Sequence, residues 1–90
     1  MTKHKQQILI NFRKAQSLIG KIIEMIEENR YCIDIMQQNL AVIGMLKSAH
    51  EKLMENHLNT CLKSAMGGKN EKKKEEMIQE ILKVIKLFNK

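Results

Sequence analysis

The 90-residue sequence contains no proline, no tryptophan, four glycines, two cysteines and only 3% aromatic residues. Each scarcity excludes something. Phe12, Tyr31 and Phe88 are too few to build the base-stacking platforms of RNA-recognition sheets and single-strand binders. No run of 18 apolar residues occurs, so no membrane span is expected, and Met1 to Gln7 lacks the apolar core of a signal peptide. The chain therefore reads as cytoplasmic, where two cysteines serve as thiolate ligands or redox groups more readily than as a structural disulfide. There is no nucleophile, base and orienting group in an arrangement suited to catalysis, and three helices are not expected to enclose a pocket of useful size. An enzyme with a small-molecule substrate is thus not expected.

What is present points to one small domain spanning residues 1–90. A chain of this size buries roughly 60 to 65% of the surface its unfolded form exposes. Its core is therefore marginal, and oligomerisation or a metal is the expected remedy. The formal charge of +6 is unevenly placed. Residues 1–30 carry six Lys/Arg against three Glu, residues 31–68 three against three, and residues 69–90 seven against four. Basic ends around a neutral middle suit a polyanionic partner such as duplex DNA, though a soluble domain with no such partner can carry the same charge.

The hydrophobic periodicity is helical throughout. Ile8, Phe12, Ala15, Ile19, Ile22, Ile23 and Ile26 recur at three- and four-residue steps and predict a first amphipathic helix over about 5–29, fraying at Glu28 to Arg30. A long second helix is predicted over about 32–66, with Asp34 near its start. Positions 36, 40, 43, 47, 50, 54, 57 and 61 form one seam along it. Ile35, Val42, Leu46, Ala49 and Leu53 form a second stripe beside the first, so this helix packs on two partners at once. Gly67 and Gly68 are expected to end it in left-handed conformations. Met77, Ile78, Ile81, Leu82, Ile85 and Phe88 mark a last helix over about 71–88, where Glu71, Glu75 and Glu76 partly offset a lysine-rich start. The expected class is all-α, a three-helix protomer with a long central helix.

The residues that carry chemistry lie on that central helix. His57 and Cys61, four apart, share a helix face and can share one ion; a half-buried His beside an apolar Cys is the plainer reading of the pair alone. Cys32 alters the balance. It precedes His57 by 25 residues, roughly 37 Å along an unbroken helix, so the three cannot meet within one chain. They meet if two copies of the helix pack antiparallel about a two-fold axis near Met45, giving two equivalent sites per dimer. Two thiolates and one imidazole form a soft three-coordinate set suited to Cu(I), whereas Zn(II) or Ni(II) would want a fourth ligand. His4 could supply that fourth nitrogen if its arm folded over the site; otherwise it is an exposed residue at a frayed end. His50 reads as an interface residue, and the methionines, at core-like spacing, read as packing.

Tyr31-Cys32-Ile33-Asp34-Ile35, Ala41-Val42, Asn56-His57-Leu58-Asn59-Thr60-Cys61 and Glu75-Glu76-Met77-Ile78 together resemble the copper-sensing repressors of the CsoR type. The resemblance covers nearly the whole chain. It implies an antiparallel dimer that assembles into a disc-like homotetramer, and an apo form that binds operator DNA and is released by Cu(I) to derepress copper resistance genes. Carried over by position, Cys32, His57 and Cys61 would be the metal ligands, with Tyr31 and Glu76 supporting them. The first helix departs from the family's pattern: Ser17 and Leu18 replace a Gly-Gln pair, and Gly20-Lys21 replaces an Arg-Gly order. Phosphate contacts need only charge, and Lys3, Lys5, Arg13, Lys14, Lys21 and Lys47 are the candidates. A Ni(II)-responsive or thiol/persulfide-responsive sensor of the same fold, and a copper buffer without specific DNA binding, stand as alternatives.

Overall fold

The computed structural model describes residues 4–89, with backbone alone at Cys61, Leu62 and Ala65. Two long helices form an antiparallel hairpin, α1 (Lys5–Glu27) and α2 (Cys32–Asn56). Beyond α2 the chain continues as a π-helical turn (His57–Leu62) and a short α3 (Lys63–Met66), then turns into α4 (Glu71–Phe88). No strand occurs among the described residues.

Small and mid-sized residues at heptad spacing hold the hairpin together. Val42, Ala49 and Asn56, seven apart on α2, are buried, as are Ile8, Ala15 and Met25 on α1. Alanine at positions 15 and 49 lets the backbones approach closely where larger side chains would hold them apart. Two polar contacts fix the register. Asn11 Nδ2 donates to Ser48 Oγ at 3.3 Å, and His4 Nε2 lies 3.6 Å from Glu55 Oε1; seven residues up α1 correspond to seven residues down α2.

This packing settles which of the two predicted stripes α1 covers. It takes the stripe containing Val42 and Ala49, while Met36, Leu40 and Ile43 of the other seam remain 55%, 66% and 41% exposed. The protomer measures 58 × 28 × 14 Å with a radius of gyration of 17.6 Å, against about 12 Å for a compact chain of this length. It is a slab too thin to bury both faces of its central helix. α4 folds back along α2: the Phe88 ring stacks on His50 with centroids 4.7 Å apart, and Ile81 and Val84 face Leu53 and Met54 across a groove. No α4 residue is fully buried.

The helix ends differ from expectation in two places. The first helix does not fray at Glu28 to Arg30. Asn29 adopts φ 56°, its amide donates to the Ile26 carbonyl and that of Arg30 to the Met25 carbonyl, closing a Schellman motif. Gly67 and Gly68 are not left-handed: among the described residues the positive-φ positions are His4 (64°) and Asn29, and no glycine is among them. Helix continuation fails after Met66 because consecutive glycines remove helix propensity, and Asn70 then starts α4 by accepting from the Lys73 amide at 3.1 Å.

Substitution should separate these two endings. Asn29→Gly is expected to stabilise the fold modestly, and Asn29→Val to destabilise it by about 1 to 2 kcal/mol, because a β-branched residue resists the left-handed region. Gly67→Ala is expected to be nearly neutral, since an added Cβ would meet the Lys63 and Ser64 carbonyls at 3.5 and 3.7 Å, ordinary contact distances. Urea unfolding at fixed protein concentration checks the order. Ala49→Leu is expected to lose about 1 to 3 kcal/mol in the same assay by overpacking the hairpin seam.

Candidate metal centre

Cys32 opens α2 and is exposed, and Tyr31 before it is 68% exposed. Tyr31 is extended (φ −59°, ψ 130°), and its carbonyl accepts from the amides of Asp34 and Ile35 at 3.0 and 3.2 Å. Asp34 in the first turn complements the helix dipole, as expected. The Cys32 thiol thus stands at a well-formed helix start, beside the uncovered seam.

His57 lies at the far end of α2 and opens the π-helical turn that runs to Leu62. This turn contains both His57 and Cys61. Single π-helical turns are rare and concentrate at functional sites. Its local cause is visible at Thr60, whose hydroxyl donates to the Asn56 carbonyl at 2.6 Å and so competes for the acceptor that an α-helical amide would use. The hydrophobic spacing that predicted one continuous helix carries no signal for this widening. The Cys61 side chain lies outside the described residues.

His57 is half-buried and lines a groove of about 320 Å³ with His50, Leu53, Met54, Glu80, Ile81 and Val84. The carboxylate in that groove is Glu80. Glu76, one turn earlier on α4, is exposed and is not among the lining residues, so a single chain does not bring it to His57. No cluster of three His, Cys, Asp or Glu side chains close enough to hold a metal occurs among the described residues.

His4 is not an exposed, frayed residue. It caps α1 in a left-handed conformation and packs beside Glu55 with its side chain 24% exposed. Its Nε2 and the Oδ1 of buried Asn56 are both enclosed without a hydrogen-bond partner in the protomer. An imidazole from the chain's beginning is therefore held at the same end of α2 as His57. His50, expected at an interface, is engaged within the chain by Phe88.

Of the basic candidates, Arg13, Lys14 and Lys21 come together. They rim an open groove of about 540 Å³ with Ser17, its floor formed by Ile10, Leu18 and Met45. Lys5 is exposed on the first turn of α1, and Lys3 lies outside the described residues. Lys47 lines a separate groove with Phe12, Ile43 and His50. Its seam position in the sequence already carried that signal. No described helix is long and apolar enough to cross a membrane.

Comparison with known proteins accords with this layout. The copper-sensing transcriptional repressor CsoR of Bacillus subtilis (strain 168) is 33% identical over 89 residues, spanning 99% of this chain and 85% of the relative. Its counterpart in Mycobacterium ulcerans (strain Agy99) is 32% identical over 82 residues, spanning 90% and 70%. The crystal structure of the copper-sensing repressor CsoR with Cu(I) from Geobacillus thermodenitrificans NG80-2 matches with a TM-score of 0.86 at 30% identity, covering all of this chain and 91% of that one. The family profile described as metal-sensitive transcriptional repressor matches residues 4–87, and the chain belongs to that family.

Proposed function

We propose that this protein is a cytoplasmic Cu(I)-responsive repressor whose metal-free form binds operator duplex DNA and whose metal-bound form releases it, derepressing copper resistance genes. The observation that carries the reading is the seam of α2, uncovered at Met36, Leu40 and Ile43, with exposed Cys32 at one end and half-buried His57 at the other. Antiparallel pairing of two such seams buries Met36, Leu40 and Ile43 and brings Cys32 of one protomer to His57 and Cys61 of the other. Two thiolates and one imidazole would hold Cu(I) in the three-coordinate arrangement soft ligands favour. Bound there, the ion supplies a crosslink between subunits. Glu80, in the groove with His57, is the carboxylate suited to orient the imidazole; Tyr31 flanks the thiol, and Glu76 would act only across a subunit boundary.

Arg13, Lys14 and Lys21 supply the phosphate contacts in this reading, with exposed Lys5 on the first turn of α1 a further cation of the same helix. Pairing of dimers into a homotetramer would multiply a charge of +6 per chain to +24. Metal and DNA bias one protein equilibrium in opposite directions, which is the thermodynamic content of release.

A Ni(II)-responsive variant of the same site has one observation in its favour. His4 sits beside Glu55, two residues before His57, and offers the fourth nitrogen that Ni(II) would require.

Anaerobic Cu(I) titration against a competing chelator is expected to show one tight site per protomer, lost in Cys32→Ala, His57→Ala and Cys61→Ala. Unchanged affinity in either cysteine variant defeats the proposed site. Leu40→Glu is expected to give a protomer with near-native helicity that neither dimerises nor binds Cu(I) tightly. His4→Ala should leave Cu(I) affinity unchanged; a selective loss of Ni(II) affinity would favour the nickel reading.

Mobility shift of upstream DNA, with and without Cu(I), separates a repressor from a copper buffer, which would give no shift even at low salt. Alanine at Arg13, Lys14 or Lys21 is expected to weaken DNA binding and lower the slope of log affinity against log salt by about 1 each. Lys47→Ala, on the other groove, should leave that slope nearly unchanged.

A further inference from the structure

Methionines at helical spacing ordinarily fill a core, and Met25 does so at 5% exposure. Met36 does not. It is 55% exposed on the uncovered seam of α2, one turn beyond exposed Cys32. Met54 stands one turn before His57 and lines the same groove as that imidazole. The seam between them carries Leu40, Ile43, Lys47 and His50, so sulfur occupies only the two positions one turn inward from the metal-ligand candidates. Met45, the remaining methionine of α2, faces the other way, into the groove with Ile10 and Leu18 of α1.

Helix geometry places these two thioethers in relation to each other. Met36 lies about 6 Å along the axis from Cys32, and Met54 about 4.5 Å from His57, each towards the middle of α2. In an antiparallel pair those two displacements point the same way. Met36 of one chain therefore falls at nearly the same level as the partner subunit's Met54, beside the thiolate and imidazole set and on its inner side.

We infer that Met36 and the partner subunit's Met54 form a second, weaker soft-metal site, a thioether pair that accepts Cu(I) and passes it to the Cys32, His57 and Cys61 set. This rests on the antiparallel pairing proposed above. Thioethers are neutral, soft ligands that favour Cu(I) without needing to lose a proton. Thiols must lose theirs to ligate, so transfer outward along the seam exchanges a weak neutral ligand pair for thiolates and releases the thiol protons to solvent. No change of oxidation state is involved. Leucine would fill the same space at either position but could not ligate.

The test uses the full 90-residue chain with 13C-labelled methionine methyl groups, titrated anaerobically with Cu(I) delivered from a weak chelator. Met36→Leu, Met54→Leu and Met25→Leu assign the resonances while conserving volume. Once one Cu(I) per protomer has saturated the tight site, further Cu(I) is expected to move the Met36 and Met54 methyl signals together and leave Met25 in place. In Met36→Leu and Met54→Leu, the rate at which the first Cu(I) is taken from the chelator should fall several-fold with its affinity unchanged. Stationary Met36 and Met54 signals together with parental uptake rates would overturn the thioether site and leave the Cys-His-Cys reading standing. A loss of first-site affinity in Met36→Leu would also overturn it, since Met36 would then belong to the tight site. Failure of the underlying reading shows separately, as unchanged first-site affinity in Cys32→Ala.

Discussion

The contact on which the rest of this structure depends is the heptad seam between α1 and α2. Val42, Ala49 and Asn56 occupy only one stripe of a helix that has two. Because Ala15 and Ala49 are small, α1 can lie close against that stripe without spreading over the neighbouring one. The second stripe is left uncovered by α1, exposed and apolar at Met36, Leu40 and Ile43 beyond Cys32, and met by α4 from His50 to His57. A larger side chain at position 49 would push the hairpin open and alter the surface offered on the other side. Hairpin packing and the availability of the metal-ligand candidates are thus two consequences of one interface.

The π-helical turn adds a local constraint. Helices of this length are usually regular, and a widened turn gives up well-aligned backbone hydrogen bonds. Here the Thr60 hydroxyl takes the Asn56 carbonyl, and Asn56 is itself fixed in the hairpin core. The turn containing His57 and Cys61 is therefore anchored on its N-terminal side to the α1 contact. On its C-terminal side it leads within a few residues to the glycine-containing bend before α4. A change in the turn has rigid structure behind it and a loosely docked helix ahead of it, so α4 is the element free to respond.

Much of this was legible in the sequence because it depends on periodicity. The three helical stretches, the two stripes on the central one, the start of α4 at Glu71 and the impossibility of a single-chain site follow from the three- and four-residue spacing and the rise per residue. What periodicity does not encode is decided by single side chains or by tertiary register. Asn29 closes α1 through two backbone bonds where composition suggested fraying. Thr60 widens a turn that keeps its apolar spacing. His4 is drawn in by Glu55, a residue more than fifty positions away. Glu80 rather than Glu76 shares the groove with His57 because Phe88 stacks on His50 and so fixes how α4 returns along α2. That register depends on the bend at residues 67–70, whose geometry no helical pattern predicts.

The two faces of α2 also constrain how metal and DNA could communicate. Met36 lies on the open part of the seam and Met54 and His57 in the groove that α4 makes with it, whereas Met45 lines the groove rimmed by Arg13, Lys14 and Lys21. Between the two, Phe12 and Leu46 line both the groove beside Arg13 and the one that holds Lys47 and His50. A ligand event at the seam would reach the basic groove by displacing α2 as a body, through Phe12 and Leu46, or through the hairpin contacts at Asn11 with Ser48 and His4 with Glu55. Packed helices at native density do not deform continuously, so a shift of α2 against its partner would be felt by α1 as a change of register or angle rather than a gradual loosening. In the proposed repressor, phosphate contacts would be spaced by the nucleic acid and not by the protein, so a small rotation of α1 would take Arg13, Lys14 and Lys21 out of step with them. Affinity for DNA would then fall without any basic residue being neutralised or covered.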